Sequence, residues 1–222
     1  RRIGEERWWL SLGDLGGLQG AVGWWMVRSG LGTGAVDVAS YRLAVHLGLA
    51  FVILGLIAWY VLRLARTAPE VMTARRNGDV GLSRMTTLLV AATFVQILLG
   101  ALVAGIDAGR GYPDWPLMAG GFLPPDPLAL EPLWRNFFED DGLVQFMHRM
   151  MGYLVVVIGV FAMMRGRRHP VGTTRGAFLA MGAMLVLQLA LGVMTVIYSA
   201  PLSLAILHQL GAVALWVLVL RA

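Results

Sequence analysis

The stretch LVQFMHRMMGYLVVVIGVFAMM, residues 143–164, is long and apolar enough to cross a bilayer as a helix. Its first two turns nevertheless contain His148 and Arg149 side by side. Ionisable side chains are costly inside a membrane, and where they occur they usually mark a functional site. The stretch therefore predicts a membrane helix, and its histidine is the first candidate for a functional side chain.

The composition of the whole chain is typical of a membrane protein. Of the 222 residues, 58% are hydrophobic and 14% are charged, and the mean hydropathy is +0.70. A soluble domain of this length needs more polar surface. The chain has no cysteine, which excludes disulfides, iron–sulfur clusters, thiolate metal ligands and cysteine nucleophiles.

Six apolar segments are long enough to span a membrane, at residues 8–27, 41–64, 85–105, 143–164, 177–198 and 202–220. Because unpaired backbone groups cannot face lipid, each segment is predicted to be a helix. The predicted fold class is therefore all-α, a polytopic membrane helical bundle. The chain starts with Arg1 rather than methionine and stops directly after an apolar run, so we expect it to be part of a longer protein.

Arginine carries the positive charge, and it is unevenly distributed along the chain. One set of loops (1–7, 65–84 and 165–176, with Arg63 and Arg221) contains 13 arginines, whereas the loops at the other end contain four. By the positive-inside rule, the amino end is cytoplasmic and the acidic loop 106–142 faces outward. This topology accounts for the net charge of +5, so no nucleic-acid partner is expected.

An internal repeat runs through the chain. Three segments contain a glutamine followed four residues later by a glycine, and each is followed by a segment with a histidine near its start. The three sets are Gln19, Gly23 and His46; Gln96, Gly100 and His148; and Gln188, Gly192 and His208. Units with short and long loops alternate, so the pattern predicts a further long-loop unit before residue 1.

The three repeated histidines are predicted to lie at similar depth near the outer ends of their helices, on helices that run in the same direction. One interpretation is structural, with each imidazole bonded to a neighbouring helix. The other is metal or haem ligation, in which His148 and His208 bind one iron from opposite faces. His46 then has no partner in this chain. Zinc fits less well, and His169, in a basic loop, is interpreted as a solvated surface residue.

Two further features remain open at this stage. Arg149 could extend to the membrane surface, or its guanidinium could pair with a carboxylate such as a haem propionate. The loop GIDAGRGYPDWPLMAGGFLPPDP, residues 105–127, is rich in glycine and proline. We expect it to fold onto the bundle as a cap, with a plain extracellular loop as the alternative.

Two long stretches of the chain resemble a known family. The second half of haem A synthase is resembled by three stretches taken together: GALVAGIDAGRGYPDWPLMAGGFLPP, WRNFFED and LVQFMHRMMGYLV. The third and fourth helices of that enzyme are resembled by GGLQGAVGWWMVRSGL followed by YRLAVHLGLAF. The resemblance covers essentially the whole chain, and the absence of cysteine matches the alphaproteobacterial and mitochondrial type.

The resemblance implies a fold of eight transmembrane helices in two pseudo-symmetric four-helix bundles, of which this chain holds six. Residues 1–84 would then contain the second helix pair of the amino-terminal bundle and a cytoplasmic loop. Residues 85–222 would form the carboxy-terminal bundle that binds haem b. His148 and His208 match its axial ligands, with Arg149 as a candidate cofactor contact, and His46 matches a ligand of the substrate haem.

The resemblance also implies an activity, namely oxidation of the C8 methyl of haem O to a formyl group, which makes haem A for cytochrome oxidase. Haem O synthase and the oxidase assembly machinery are then expected partners, and a homo-oligomer remains open. The catalytic glutamate would lie before residue 1, so we expect this fragment alone to be inactive. The alternatives are a di-haem b-type cytochrome that oxidises or reduces quinone, a haem transporter, and a channel.

Overall fold

The computed structural model describes residues 2–31 and 38–222, without the side chains of residues 2–7, 9 and 31. In these two ranges the chain forms eight α-helices and no β-sheet. Six helices are long: α1 (Arg2–Leu31), α2 (Ser40–Leu64), α4 (Val80–Gly105), α6 (Asp141–Gly166), α7 (Gly172–Ile197) and α8 (Leu202–Arg221). Two are short: α3 (Ala68–Arg76) and α5 (Asn136–Glu139).

Each predicted membrane segment corresponds to one long helix, and only segment 177–198 extends beyond its helix, by one residue at Tyr198. This agreement confirms the all-α membrane bundle. In the described ranges, five helices are long and apolar enough to cross a membrane: α2, α4, α6, α7 and α8. Helix α1 is a continuous helix of 30 residues, but its first half includes several charged residues. Its crossing, and so the count of six, stays a prediction.

Polar caps lengthen two of these helices beyond the apolar segments. The Asp79 carboxylate accepts a hydrogen bond from the Leu82 backbone N–H at 3.0 Å, and Asp140 accepts one from the Leu143 N–H at 2.7 Å. Such N-caps satisfy backbone donors that have no partner within the helix. Helices α4 and α6 therefore begin with a capped polar turn ahead of the apolar segment that the sequence predicts.

Four long helices form a closed ring. Helix α4 packs against α6, α6 against α7, α7 against α8, and α8 again against α4. The interior of this ring is filled by large buried apolar side chains, among them Leu89, Val155, Phe178, Met181, Leu215 and Val219. Helices α6 and α8 consequently lie diagonally across the bundle. The first two helices pack outside it, with α2 on α4 and α8, and α1 on α2.

A buried tryptophan joins helix α2 to this bundle. The Trp216 indole Nε1 donates a hydrogen bond to the Phe51 carbonyl at 3.0 Å, and its ring covers Gly55, where a Cβ atom would lie 3.0 Å from Nε1. The glycine thus lets the indole approach the α2 backbone closely. This contact holds α2, the helix that contains His46, at a fixed position beside α8.

The arginine-rich end contains an element that the sequence prediction missed. Residues 65–84 were expected to be a loop, but α3 forms within them. The Thr67 backbone N–H donates to the Glu70 carboxylate at 2.8 Å, as in a capping box that starts a helix. At the same end, Arg165 donates two hydrogen bonds to Asp79, at 3.0 and 2.9 Å, which tie the start of α4 to the end of α6.

At the opposite end, the loop 106–142 folds back onto the bundle, as the sequence predicts for a cap. Ala108 and Met118 are almost fully buried. The fully buried Asn136 donates to the carbonyls of Leu130 and Leu133, at 2.8 and 2.9 Å, and so fixes the loop internally. The loop is therefore an ordered cover over the end of the bundle at which the repeated histidines lie.

Candidate metal centre

Each of the three repeated histidines contacts a glutamine side chain from the preceding long helix. The amide nitrogen Nε2 of the glutamine lies 3.1–3.2 Å from the imidazole Nδ1 in every case. The pairs are Gln19 with His46, Gln96 with His148, and Gln188 with His208. Because an amide N–H can only donate, Nδ1 is the acceptor in this arrangement. The repeated glutamine is thus the partner of the repeated histidine.

The repeated glycine makes room for the same ring. A Cβ atom built on Gly23, Gly100 or Gly192 would lie 2.9–3.0 Å from the imidazole Cε1 of His46, His148 or His208, respectively. Ordinary contacts between carbon atoms are about 3.5–4.0 Å, so any larger residue would push the ring away. The spacing Gln-x-x-x-Gly, one helical turn, therefore places a hydrogen-bonding amide and an open patch of backbone against each histidine.

His148 on α6 and His208 on α8 meet across the interior of the four-helix ring. Their ring centres are 6.5 Å apart, and the ring planes are inclined at 85° to each other. The two helices are diagonal in the ring, so both side chains point inward from opposite sides. The structure thus brings together the two histidines that the sequence analysis paired as ligands.

This spacing suits one metal ion held by two imidazoles. A metal–imidazole nitrogen bond is about 2 Å and the ring centre lies about 1.1 Å further on, so two coaxial ligands have ring centres about 6.2 Å apart. The observed 6.5 Å differs by a few tenths of an ångström. In the described ranges, no group of three or more His, Asp and Glu side chains could hold a metal ion. A donor set of two imidazoles fits a haem, whose porphyrin would supply the remaining ligands.

His46 stands apart from this pair. Its imidazole contacts Gln19 and Gly23 of α1, and within the described part of the chain no ring contact links it to His148 or His208. The Gln19 amide also donates to the His46 backbone carbonyl at 3.1 Å. The local surroundings of His46 repeat those of the paired histidines, but among the described residues no second imidazole lies against its ring.

Arg149 is buried and binds the loop above the site. Its Nη1 donates to the carbonyls of Asp114 and Leu117, at 3.0 and 2.9 Å, and its Nη2 donates to the Tyr112 carbonyl at 2.7 Å. These backbone carbonyls are not among the partners that the sequence suggested for Arg149. The Nε nitrogen is buried without a partner among the described residues. A contact between Arg149 and a cofactor carboxylate stays a prediction.

Replacing Arg149 with methionine is expected to release this loop. The substitution keeps an apolar stem but removes three charge-assisted hydrogen bonds, so we expect a loss of about 3 kcal/mol in the free energy of unfolding. Thermal unfolding in detergent and limited proteolysis within residues 106–142 measure the effect. Arg167→Met, at the exposed opposite end, is the matched control. Equal cleavage of the two variants would contradict the proposed anchoring.

Two ionisable groups of the loop, Asp114 and Tyr112, keep one charge state around neutral pH. The backbone N–H of Gly120 donates to the Asp114 carboxylate and lowers the pKa of that group. Burial, with smaller contributions from nearby carboxylates, raises the pKa of the Tyr112 phenol. Asp114 therefore stays ionised and Tyr112 stays neutral. The Asp114 contribution to loop stability would be lost only as the pH falls through its lowered pKa.

His169 lies at the opposite end of the bundle. Its Nδ1 accepts a hydrogen bond from the Val171 backbone N–H at 3.2 Å, and its Nε2 lies 3.0 Å from the Asn77 carbonyl oxygen. The residue is partly exposed, as the sequence interpretation has it, but both ring nitrogens are engaged by backbone. It is therefore separate from the candidate metal centre and serves to join two loops.

These observations define a polytopic membrane protein in which two imidazoles face each other inside a four-helix bundle, at a spacing that suits one metal ion. Comparison with known proteins then places the chain among its relatives. Residues 4–220 match the COX15-CtaA family, described as cytochrome oxidase assembly protein, and the chain belongs to this family.

Three relatives named heme A synthase show how close the similarity is. The chain is 63% identical over 213 residues to the protein of Jannaschia sp. (strain CCS1). It is 59% identical to the proteins of Roseobacter denitrificans (strain ATCC 33942 / OCh 114), over 215 residues, and Paracoccus denitrificans (strain Pd 1222), over 213 residues. Each match covers 96% of this chain but 56% of the relative, so the chain spans a little over half of their length.

Proposed function

We propose that this chain is the portion of a haem A synthase that carries its haem b centre. The activity would be oxidation of the C8 methyl of haem O to the formyl group of haem A, for use in cytochrome oxidase. The observation that carries the proposal is the spacing of His148 and His208, whose ring centres are 6.5 Å apart. The relatives named heme A synthase support the same conclusion.

His148 and His208 would hold the haem b iron through one imidazole nitrogen each. A haem held there would supply a one-electron carrier. The protein contributes the rest: diagonal helices that fix the distance between the rings, glycines that let the rings sit close to α4 and α7, and a loop that covers the outer end. Oxidation of a methyl to a formyl group removes four electrons when water supplies the oxygen, so an electron carrier near the substrate suits the reaction.

His46 would lie on the side of the substrate haem. Its glutamine and glycine neighbours match those of the other two histidines, which supports a ligand role. As a single histidine it offers one axial ligand, whereas the pair on α6 and α8 offers two. We therefore propose that these 222 residues alone do not complete the conversion of haem O.

The protein is a multi-pass membrane protein, and we propose the bacterial inner membrane as its location. The amino end of this chain would be cytoplasmic and the loop 106–142 periplasmic, because the arginines concentrate at the end opposite that loop. Haem O and haem A would be substrate and product. Haem O synthase and the cytochrome oxidase assembly machinery are the proposed partners.

The test is to express the intact gene in a bacterium that makes haem O but no haem A. Chromatography of extracted haems, with pyridine haemochrome spectra, is expected to show haem A. A b-type spectrum without haem A would instead favour a quinone-linked cytochrome or a haem transporter. Expression of residues 1–222 alone is expected to give the b-type spectrum and no haem A.

A further inference from the structure

The amide of Gln96 is placed where it can determine which ring nitrogen of His148 carries the proton. Its Nε2 lies 3.1 Å from the imidazole Nδ1 and 3.2 Å from the imidazole Nε2. The amide oxygen Oε1 is buried and has no hydrogen-bond partner among the described residues. A buried carbonyl oxygen without a hydrogen bond destabilises a protein by about 1–3 kcal/mol, so this orientation of the amide is unfavourable.

Iron ligation would reverse the hydrogen bonding that His148 requires. A neutral imidazole carries one proton, and the ring nitrogen that binds a metal cannot keep it. If iron takes Nε2, the proton moves to Nδ1, which becomes a donor and needs an acceptor. The Gln96 N–H cannot accept, and in its present position it also competes for Nε2. The unpartnered oxygen on the same amide meets the new requirement.

We propose that Gln96 is a positioning residue for the haem ligand His148, and that its amide turns when the iron binds. Rotation about the last side-chain bond exchanges Oε1 and Nε2 without moving the helix. Oε1 then accepts from Nδ1–H, which fixes the ring orientation and increases the electron density that the imidazole gives to the iron. The inference rests on the proposed haem centre.

Among the described residues, the Gln96 amide makes no hydrogen bond other than its contacts with His148. A Cβ atom on Gly152, one turn after His148, would lie 3.2 Å from the Gln96 Nε2, so this glycine provides the space that the amide occupies. The equivalent Gln188 differs, because its Nε2 also donates to the His208 backbone carbonyl at 2.8 Å. Rotation of Gln188 would break that bond. Of these two amides, the one that can turn without losing a hydrogen bond to backbone is therefore that of Gln96, beside His148.

The test compares two variants of the full-length protein that carries its haem. Gln96→Glu keeps an acceptor and adds negative charge, so the midpoint potential of the haem b is expected to fall. Gln96→Leu removes the acceptor, so the potential is expected to rise and haem affinity to fall about ten- to a hundredfold. Gln209→Leu, at an exposed position next to His208, is the control and is expected to change neither quantity.

The outcomes separate this inference from the proposed function. Shifts of opposite sign, or loss of haem from Gln96→Leu but not from Gln96→Glu, support the proposal. Shifts of the same sign, shifts no larger than in the control, or loss of haem from both variants overturn it. Absence of a low-spin b-type haem from the unsubstituted protein would reject the proposed haem centre itself. A purely structural glutamine would not produce opposite shifts for Glu and Leu.

Discussion

Replacing His148 with alanine is expected to abolish the low-spin b-type spectrum of the purified protein. The side chain would supply one of two axial bonds to the same iron, and no other histidine in the described part of the chain has a ring contact with His208. A methyl group cannot take its place. His208→Ala should have the same effect, because the proposed haem centre would need both imidazoles to give a low-spin spectrum. Visible absorbance and electron paramagnetic resonance spectra measure the change.

Further variants test whether the two histidines act as a pair. If both bind one iron, the double variant is expected to lose no more haem than either single variant, because residues that act as one unit are not additive. His169→Ala is the control, since that residue lies at the opposite end of the bundle, and it should keep the full spectrum. Retention of the low-spin spectrum by both single variants would show that the ligands lie elsewhere.

His46→Ala tests whether the third histidine has a role separate from that of this pair. Its imidazole contacts α1 rather than the interior of the four-helix ring. The variant is therefore expected to keep the haem held by His148 and His208. In the full-length protein it should still lose haem O conversion, because the proposed substrate site would lack a ligand. The experiment thus distinguishes a His46 that only stabilises helix packing from a His46 that binds a second haem.

The long helices could be predicted from the sequence because a membrane sets their length and apolar character. Each predicted segment matches one helix to within one residue beyond its end, and the caps at Asp79 and Asp140 account for the extra polar turns. The short α3 could also have been predicted. Thr67 and Glu70 form the capping-box spacing, but the segment is too polar to register as a membrane helix. Apolarity alone was therefore an incomplete guide to helix content.

The candidate site was only partly predictable. Matched depth and repetition pointed to His148 and His208, because these properties follow from position along a helix. The contacts of Gln96 and Gln188 with the histidines depend on how neighbouring helices are rotated about their axes, which the sequence does not specify. Their spacing from Gly100 and Gly192 was nevertheless a visible signal. It marked where a ring approaches the backbone, although it did not identify the ring.

Arg149 shows a different limit of sequence reasoning. A buried arginine in a membrane helix needs acceptors, and acidic side chains or a cofactor carboxylate are those that a sequence suggests. The acceptors found are the backbone carbonyls of Tyr112, Asp114 and Leu117. Every residue has a carbonyl, so no residue type marks them in advance. The anchoring of the loop is therefore a property of the folded chain that composition could not indicate.

Gly192→Ala is expected to weaken haem binding while leaving the helices intact. The new Cβ would lie 3.0 Å from Cε1 of His208, whereas ordinary contacts are about 3.5–4.0 Å, so the ring must shift by roughly 0.5–1 Å. Metal–ligand distances tolerate only about 0.2 Å. We therefore expect haem affinity to fall about ten- to a hundredfold, the range found when groups that support a metal ligand are changed.

Gly176→Ala, in the same helix α7, is the matched control for this prediction. A Cβ atom there meets nothing within 4 Å, so alanine is expected to stabilise the helix by about 0.5–1 kcal/mol and to leave haem affinity unchanged. Both variants exchange glycine for alanine in one helix, so they share the change in helix propensity. A difference between their haem affinities, measured by titration, therefore reports the contact with His208. Equal affinities would mean that the imidazole can move without loss of the iron bond, and that the glycine serves helix packing alone.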